Sequence, residues 1–252
     1  MSRKKERKKF NLEDFVKKNK IEKKNYILKE CQKINVPKEI HSNLKDAYQK
    51  KEVINKFVKK LIERKNNKEE KIQENIKKQI ELFKSNFVEK NLPKNILSKK
   101  NTVFSMCGAN VLNSAQTISR SISTSMGSLW EKIAACSNDV VSPEDEFAVK
   151  ITGIDAIGLL NNKITYIQLK TAEDTLTAGH CPRSVMELSI HENSFFGTAF
   201  KTGAKWHFKS DNIEKFAGED FWKKINLDYE FIFKQIKPMV QDIEKKYLEL
   251  RD

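Results

Sequence analysis

Apolar side chains recur at helical spacing through residues 42–90. Ile54, Phe57, Val58, Leu61 and Ile62 share one face, and Ile72, Ile76, Ile80, Phe83 and Phe87 share a second, at intervals of four and three. A polar stretch from Glu63 to Lys71 separates them, so the pattern reads equally as one long helix or as two joined ones. Both stripes read as packing faces and are assigned no chemistry. Upstream, residues 11–34 read as a helix, with Asn11 as N-cap and Glu13 and Asp14 in the first turn. Residues 1–9 form a basic arm, Pro37 marks a break and Pro93 ends the region. Residues 101–128 are small, Ser/Thr-rich and almost uncharged. SMGSLWEKIAAC then reads as a helix with Leu129, Ile133 and Ala134 turned inward.

From residue 147 the period changes. Phe147–Leu160 is strand-like, Asn161-Asn162 is a turn of the kind that accepts left-handed backbone, and Ile164–Lys170 is an alternating, β-branched strand. The two strands predict a hairpin. Residues 182–192 read as a helix. Phe195–Lys201 and Lys205–Lys209 bracket Thr202-Gly203-Ala204 as a second hairpin. Helices are expected at 211–225 and 228–250, the latter interrupted or kinked near Pro238. This succession predicts an α/β fold.

Composition supports a packed core: 38% of the 252 residues are hydrophobic and 15 are Phe. No apolar run approaches the roughly eighteen residues of a membrane span, and the basic N-terminus is not followed by the apolar stretch of a secretory signal. The cysteines, at 31, 107, 136 and 181, show no CxxC pairing, and the histidines, at 41, 180, 191 and 207, show no ligand spacing with them. A reduced, cytoplasmic protein without structural zinc is expected. The net charge is +14 and is unevenly placed: residues 1–100 hold 31 Lys and Arg against 14 Asp and Glu, and residues 101–252 hold 17 against 20. Such asymmetry points to a polyanionic partner, nucleic acid first among them.

The candidate chemistry lies in the first hairpin. Gln168 and Lys170, two apart, share a strand face, and pairing around Asn161-Asn162 brings Asp155 beside them. Glu131, on the preceding helix, can approach from the side. A hard cation such as Mg²⁺ needs oxygen ligands, which Asp155 and the Gln168 carbonyl can give. A neighbouring Lys can orient or deprotonate an attacking water, or stabilise developing phosphoryl charge. This residue set suits metal-dependent phosphodiester hydrolysis.

Gly153-Ile154-Asp155, followed by Gln168-Leu169-Lys170, resembles the PD-(D/E)xK nuclease signature. Over about residues 100–225 the chain resembles type II restriction endonucleases, in particular the group that cuts interrupted GGNCC-type sites. STSMGSLWEKIA, KTAEDTLTAGH and FAGEDFW carry that likeness. The resemblance implies a restriction-endonuclease-like core, a mixed central sheet flanked by helices, over 101–252, and a basic, mainly helical DNA-binding or dimerisation region over 1–100. It makes Asp155 the metal-binding Asp, Lys170 the catalytic Lys and Glu131 a helix carboxylate for metal or support. Gln168 stands at the position usually held by Glu or Asp, which predicts weaker metal binding or more reliance on Glu131. Ile154 stands where the idealised motif has Pro.

The resemblance further implies Mg²⁺ as cofactor and double-stranded DNA as substrate, cut at a palindromic or interrupted-palindromic site. It implies a homodimer, a bacterial or archaeal host and, genetically, a cognate DNA methyltransferase. The helices at 42–90 and 228–250 are candidates for the dimer interface or for embracing the duplex. Thr171, Thr175, Thr177, His180 and Arg183, just after the candidate site, are candidate DNA contacts; the same segment reads equally as a polar loop entering a helix. Two other readings stay open: a structure-selective repair or recombination nuclease, and a non-catalytic DNA-binding protein with a decayed site.

Overall fold

The computed structural model describes residues 67–93 and 102–251, together with positions 55–57, 59–61, 63 and 64. The expected arm at 1–9, the helix at 11–34 and Pro37 lie outside the described residues. Two helical segments, not one, occupy the described part of 42–90. Positions 55–57, 59–61, 63 and 64 are helical, Asn67 and Lys68 are not, and α1 begins at Glu69 and runs to Asn86. Glu69 and Glu70 in its first turn and Lys84 in its last complement the helix dipole. A π-helical turn, Phe87–Asn91, continues it and swings Phe87 and Leu92 into the core.

After a short α2 (Val103–Met106), the Ser/Thr-rich stretch proves helical: α3 spans Asn110–Ala134 without interruption. Its hydroxyls bond back to carbonyls one turn earlier, as Thr117 does to Asn113 and Thr124 to Arg120, which lets a polar sequence stay helical. The inward-facing residues expected at its end are buried, and Trp130 with them.

Five strands form one mixed sheet in sequence order: β1 (Val140–Val141), β2 (Ala156–Leu160), β3 (Lys163–Lys170), β4 (Ser194–Thr198) and β5 (Glu214–Ala217). The first three run antiparallel, and β3, β4 and β5 run parallel. The β2–β3 hairpin turns on Asn161 and Asn162, whose φ of 51° and 60° confirm the left-handed backbone expected there. Between the strands lie α4 (Pro143–Phe147), α5 (Cys181–Ser189) and α6 (Glu219–Lys224), and α7 (Tyr229–Arg251) closes the chain. Pro238 sits inside α7, which runs through it as one helix.

One sheet face, with Ile167, Leu169 and Phe195, packs under α1, α3 and α7 through Ile76, Ile80, Leu129, Ile133, Ile232 and Ile236. The other face, with Ile157, Tyr166 and Phe196, is covered by Leu176, Leu188 and Phe208. The result is a mixed α/β fold, a five-stranded sheet flanked by helices. No described helix is long and apolar enough to cross a membrane.

Three expectations change. Phe147–Leu160 is not one strand: Phe147 ends α4, Ala148 turns left-handed at φ 52°, and regular pairing begins only at Ala156. Phe195–Lys209 is not a hairpin, because β4 pairs in parallel with β3 and β5, and Lys205–Lys209 belongs to no strand. Residues 211–225 are not one helix but β5, a turn at Gly218 and α6. Parallel pairing is set by partners distant in sequence, so local pattern did not reveal it.

Candidate active site

Asp155 sits one residue before β2. Its N–H still donates to the Ile167 carbonyl at 2.9 Å, so it is held in line with the strand. It is delivered by a turn closed by the Ile151–Ile154 bridge, with Gly153 at φ 72°. A side chain at Gly153 would overlap Glu187 of α5. Where β2 gives out, the Asp155 carboxylate replaces the missing strand partner: Oδ2 accepts from Leu169 N–H at 2.7 Å. The same oxygen lies 3.6 Å from Lys170 Nζ. Both side chains stay partly open, with 22% of Asp155 and 31% of Lys170 exposed. Oδ1 has no partner among the described residues.

Gln168 shares the Lys170 face of β3 and is in register with Phe196. It is buried, 4% exposed, and its Oε1 has no hydrogen-bond partner among the described residues. Glu131 reaches the same edge because α3 is pinned there. The indole N–H of Trp130 donates to Thr171 Oγ1 at 3.2 Å, and its ring meets Phe200 edge-on at 5.0 Å. Burial pushes the Glu131 carboxyl up to about 7; the negative charges of Asp155, Asp145 and Glu144 add to this, and Lys170 opposes it. Asp155, Lys170 and Glu131 therefore share one electrostatic neighbourhood at the carboxyl end of β3.

The five residues read as candidate DNA contacts divide. Thr171 accepts from Trp130, and Thr175 Oγ1 accepts from the Ala172 N–H at 3.0 Å, a turn-stabilising role. Thr177 Oγ1 and His180 Nδ1 are 3.0 Å apart and exposed. Arg183 donates to Glu187 one turn along α5 at 2.7 Å. Cys136 and Cys181 are free thiols, and burial pushes Cys136 up to about 12, so it is no nucleophile.

Glu173 was not singled out by sequence. It is 2% exposed and accepts from Thr202 N–H and Oγ1–H at 2.9 Å each and from Gly203 N–H at 3.3 Å. Burial alone would raise its carboxyl; the Thr202 and Gly203 donors, together with the N–H of Glu173 itself, outweigh burial and hold it below the ordinary value. A Glu and a Thr-Gly turn thirty residues apart give no local signal of such pairing.

Among the described residues no group of three His, Cys, Asp or Glu side chains is arranged to hold a metal ion. The oxygens at this edge come from two carboxylates and an amide. No protein-family model matches the chain, and no curated protein matches it either.

Proposed function

We propose that the chain is a Mg²⁺-dependent, site-specific endonuclease of double-stranded DNA, a type II restriction endonuclease with a restriction-endonuclease-like core. The observation that carries this reading is the meeting of Asp155 and Lys170 at the open end of β3, with Gln168 Oε1 buried and unpartnered on the same strand. The donor set of Asp155, Gln168 and Glu131 is all oxygen and suits a hard divalent cation. A buried amide oxygen with no hydrogen-bond donor keeps its lone pairs available to such a cation. Mg²⁺ bound there would neutralise the scissile phosphate and acidify a water. Asp155 Oδ1 is free to ligate, while Oδ2 keeps Lys170 in place. Lys170 Nζ, tethered at 3.6 Å, can orient the attacking water and offset the charge that grows on phosphorus oxygens. Glu131, whose burial holds its carboxyl at about 7 without metal, would be drawn into its charged, ligating form by the cation. A two-fold enzyme and an interrupted palindrome of GGNCC type complete the reading, with a methyltransferase protecting the host.

One observation favours a second reading, a non-catalytic DNA-binding protein. The hydrogen bond from Leu169 and the ion pair with Lys170 give Asp155 a structural role without any metal. Plasmid digestion separates the readings. With Mg²⁺ the first expects discrete fragments, absent in EDTA, whose sequenced ends carry 5′-phosphate and 3′-hydroxyl. Cuts confined to junctions or flaps would mark a structure-selective repair nuclease. Intact plasmid with retained DNA binding would mark the second reading.

A further inference from the structure

The parallel pairing of β3 and β4 does not stop where the strands end. Ala199 N–H donates to the Lys170 carbonyl at 2.8 Å and Phe200 N–H to the Thr171 carbonyl at 2.9 Å. Thr202 and Gly203 then close on the buried Glu173 carboxylate. His207 Nδ1 bonds the Leu176 carbonyl at 2.9 Å, and Lys209 N–H donates to Cys181 Sγ at 3.3 Å. Residues 199–209 thus run beside 170–181 as an irregular strap, tied at five levels, and leave the sheet at the edge that holds Asp155 and Lys170.

The strap is also fixed from below. The Phe208 ring stacks on Phe196 at 4.3 Å and Trp206 meets Phe196 edge-on at 6.1 Å. Phe196 is the register neighbour of Gln168. A side chain at Gly218 would run into Lys201, so the strap's start is held closely against the turn before α6. Against this anchoring, Lys201, Lys205 and Lys209 are exposed, and none pairs with a carboxylate among the described residues. The facing segment adds one exposed acid, Asp174, because the charge of Glu173 is taken up by the strap's own donors. A mobile solubilising loop has no use for a buried carboxylate that orders it. A surface that must present cations at fixed positions does.

We infer that residues 199–209 are a pre-ordered phosphate grip: Lys201, Lys205 and Lys209 hold the backbone of duplex DNA against the Asp155–Lys170 edge, and Glu173 is the positioning residue that keeps the strap in place. The inference rests on the reading that this edge works on DNA, and it assigns the contacts to a segment outside those read from sequence.

The test is binding of a labelled duplex of random sequence in EDTA across a salt series. Each phosphate-bound Lys contributes about one unit to the slope of log affinity against log salt, so Lys205→Ala/Lys209→Ala lowers the slope by about two. The matched control, Lys163→Ala/Lys223→Ala, removes equal charge towards the other end of the sheet, where Lys163 begins β3 and Lys223 lies in the last turn of α6 beside Lys224, which reaches Glu214 at the start of β5. It leaves the slope unchanged. Glu173→Gln removes a negative charge, which on simple electrostatics tightens DNA binding; through the strap it weakens binding, because the amide no longer matches three donors. An unchanged slope in the strap variant, an equal fall in the control, or tighter binding by Glu173→Gln overturns the inference. So does a slope change on an RNA duplex with none on DNA. Because binding is read without metal, the two proposals fail separately. A protein that never cuts DNA but shows these shifts keeps the strap and loses the nuclease. One that cuts in Mg²⁺ with its slope unaltered keeps the nuclease and loses the strap.

Discussion

A buried amide oxygen without a hydrogen bond lies about 1–3 kcal/mol above a satisfied one, and Gln168 Oε1 is in that state within β3. On the proposed function, a cation at the oxygen would relieve it. Gln168→Glu should therefore bind Mg²⁺ or Mn²⁺ about tenfold more tightly or better by calorimetry, since a carboxylate is the stronger hard-ion ligand. The same variant should melt lower in EDTA, where it buries an unpaired charge. Equal ion affinity and equal melting would remove Gln168 from the ligand set. Glu131 gives a pH signature. Its carboxyl binds a proton more tightly folded, at about 7, than the ordinary 4.5. Its contribution to stability is fully present below 4.5 and is lost as pH rises through about 7. In metal-free buffer the urea midpoint of the wild type should fall across that window relative to Glu131→Gln; parallel profiles would mean that Glu131 lies in a more polar setting.

At the scale of elements, the position of Asp155 depends on a turn more than on a strand. Gly153, at φ 72° and against Glu187, is the residue that turn requires. Gly153→Ala forces a Cβ into left-handed backbone and into Glu187, at a cost of about 1–3 kcal/mol or more. Denaturant unfolding should report that loss, and DNA cleavage should drop further than stability explains, because Asp155 moves with the turn. Cleavage at wild-type rate in a destabilised variant would separate the turn from the site. The hairpin was legible because its signals are local: paired Asn at the turn and alternation in Ile164–Lys170 put Gln168 and Lys170 on one face, as observed. The helix carrying Glu131 was legible for the same reason. Glu214–Ala217 was not, since a four-residue charged strand owes its existence to β4 alongside it. Lys205–Lys209 alternates like a strand, yet the alternation comes from Trp206 and Phe208 packing on Phe196 and not from pairing. Long-range ties, such as Glu173 to Thr202, leave no trace in a local pattern.

Over the whole molecule, charge and chemistry are segregated. The positive excess falls in residues 1–100, and the half with the candidate site is nearly balanced. The described part of the basic region is no loose appendage: Ile76, Ile80, Phe87 and Leu92 share one core with Trp130, Ile167 and Ile243. Arg64 ties the helical segment before it to the end of α3 and to β1, donating to the Ala135 and Val140 carbonyls at 2.9 Å and to Glu146 at 2.7 Å. A duplex attracted by the basic half would therefore meet a sheet edge fixed to the same body. The most direct test of that account is cleavage and binding of duplex DNA in parallel by the wild type, Lys170→Ala and Asp155→Ala, with Mg²⁺ present. The account predicts that both variants lose cleavage, that both keep duplex binding, and that Asp155→Ala alone also loses affinity for the ion. Undiminished cutting by either variant would contradict it.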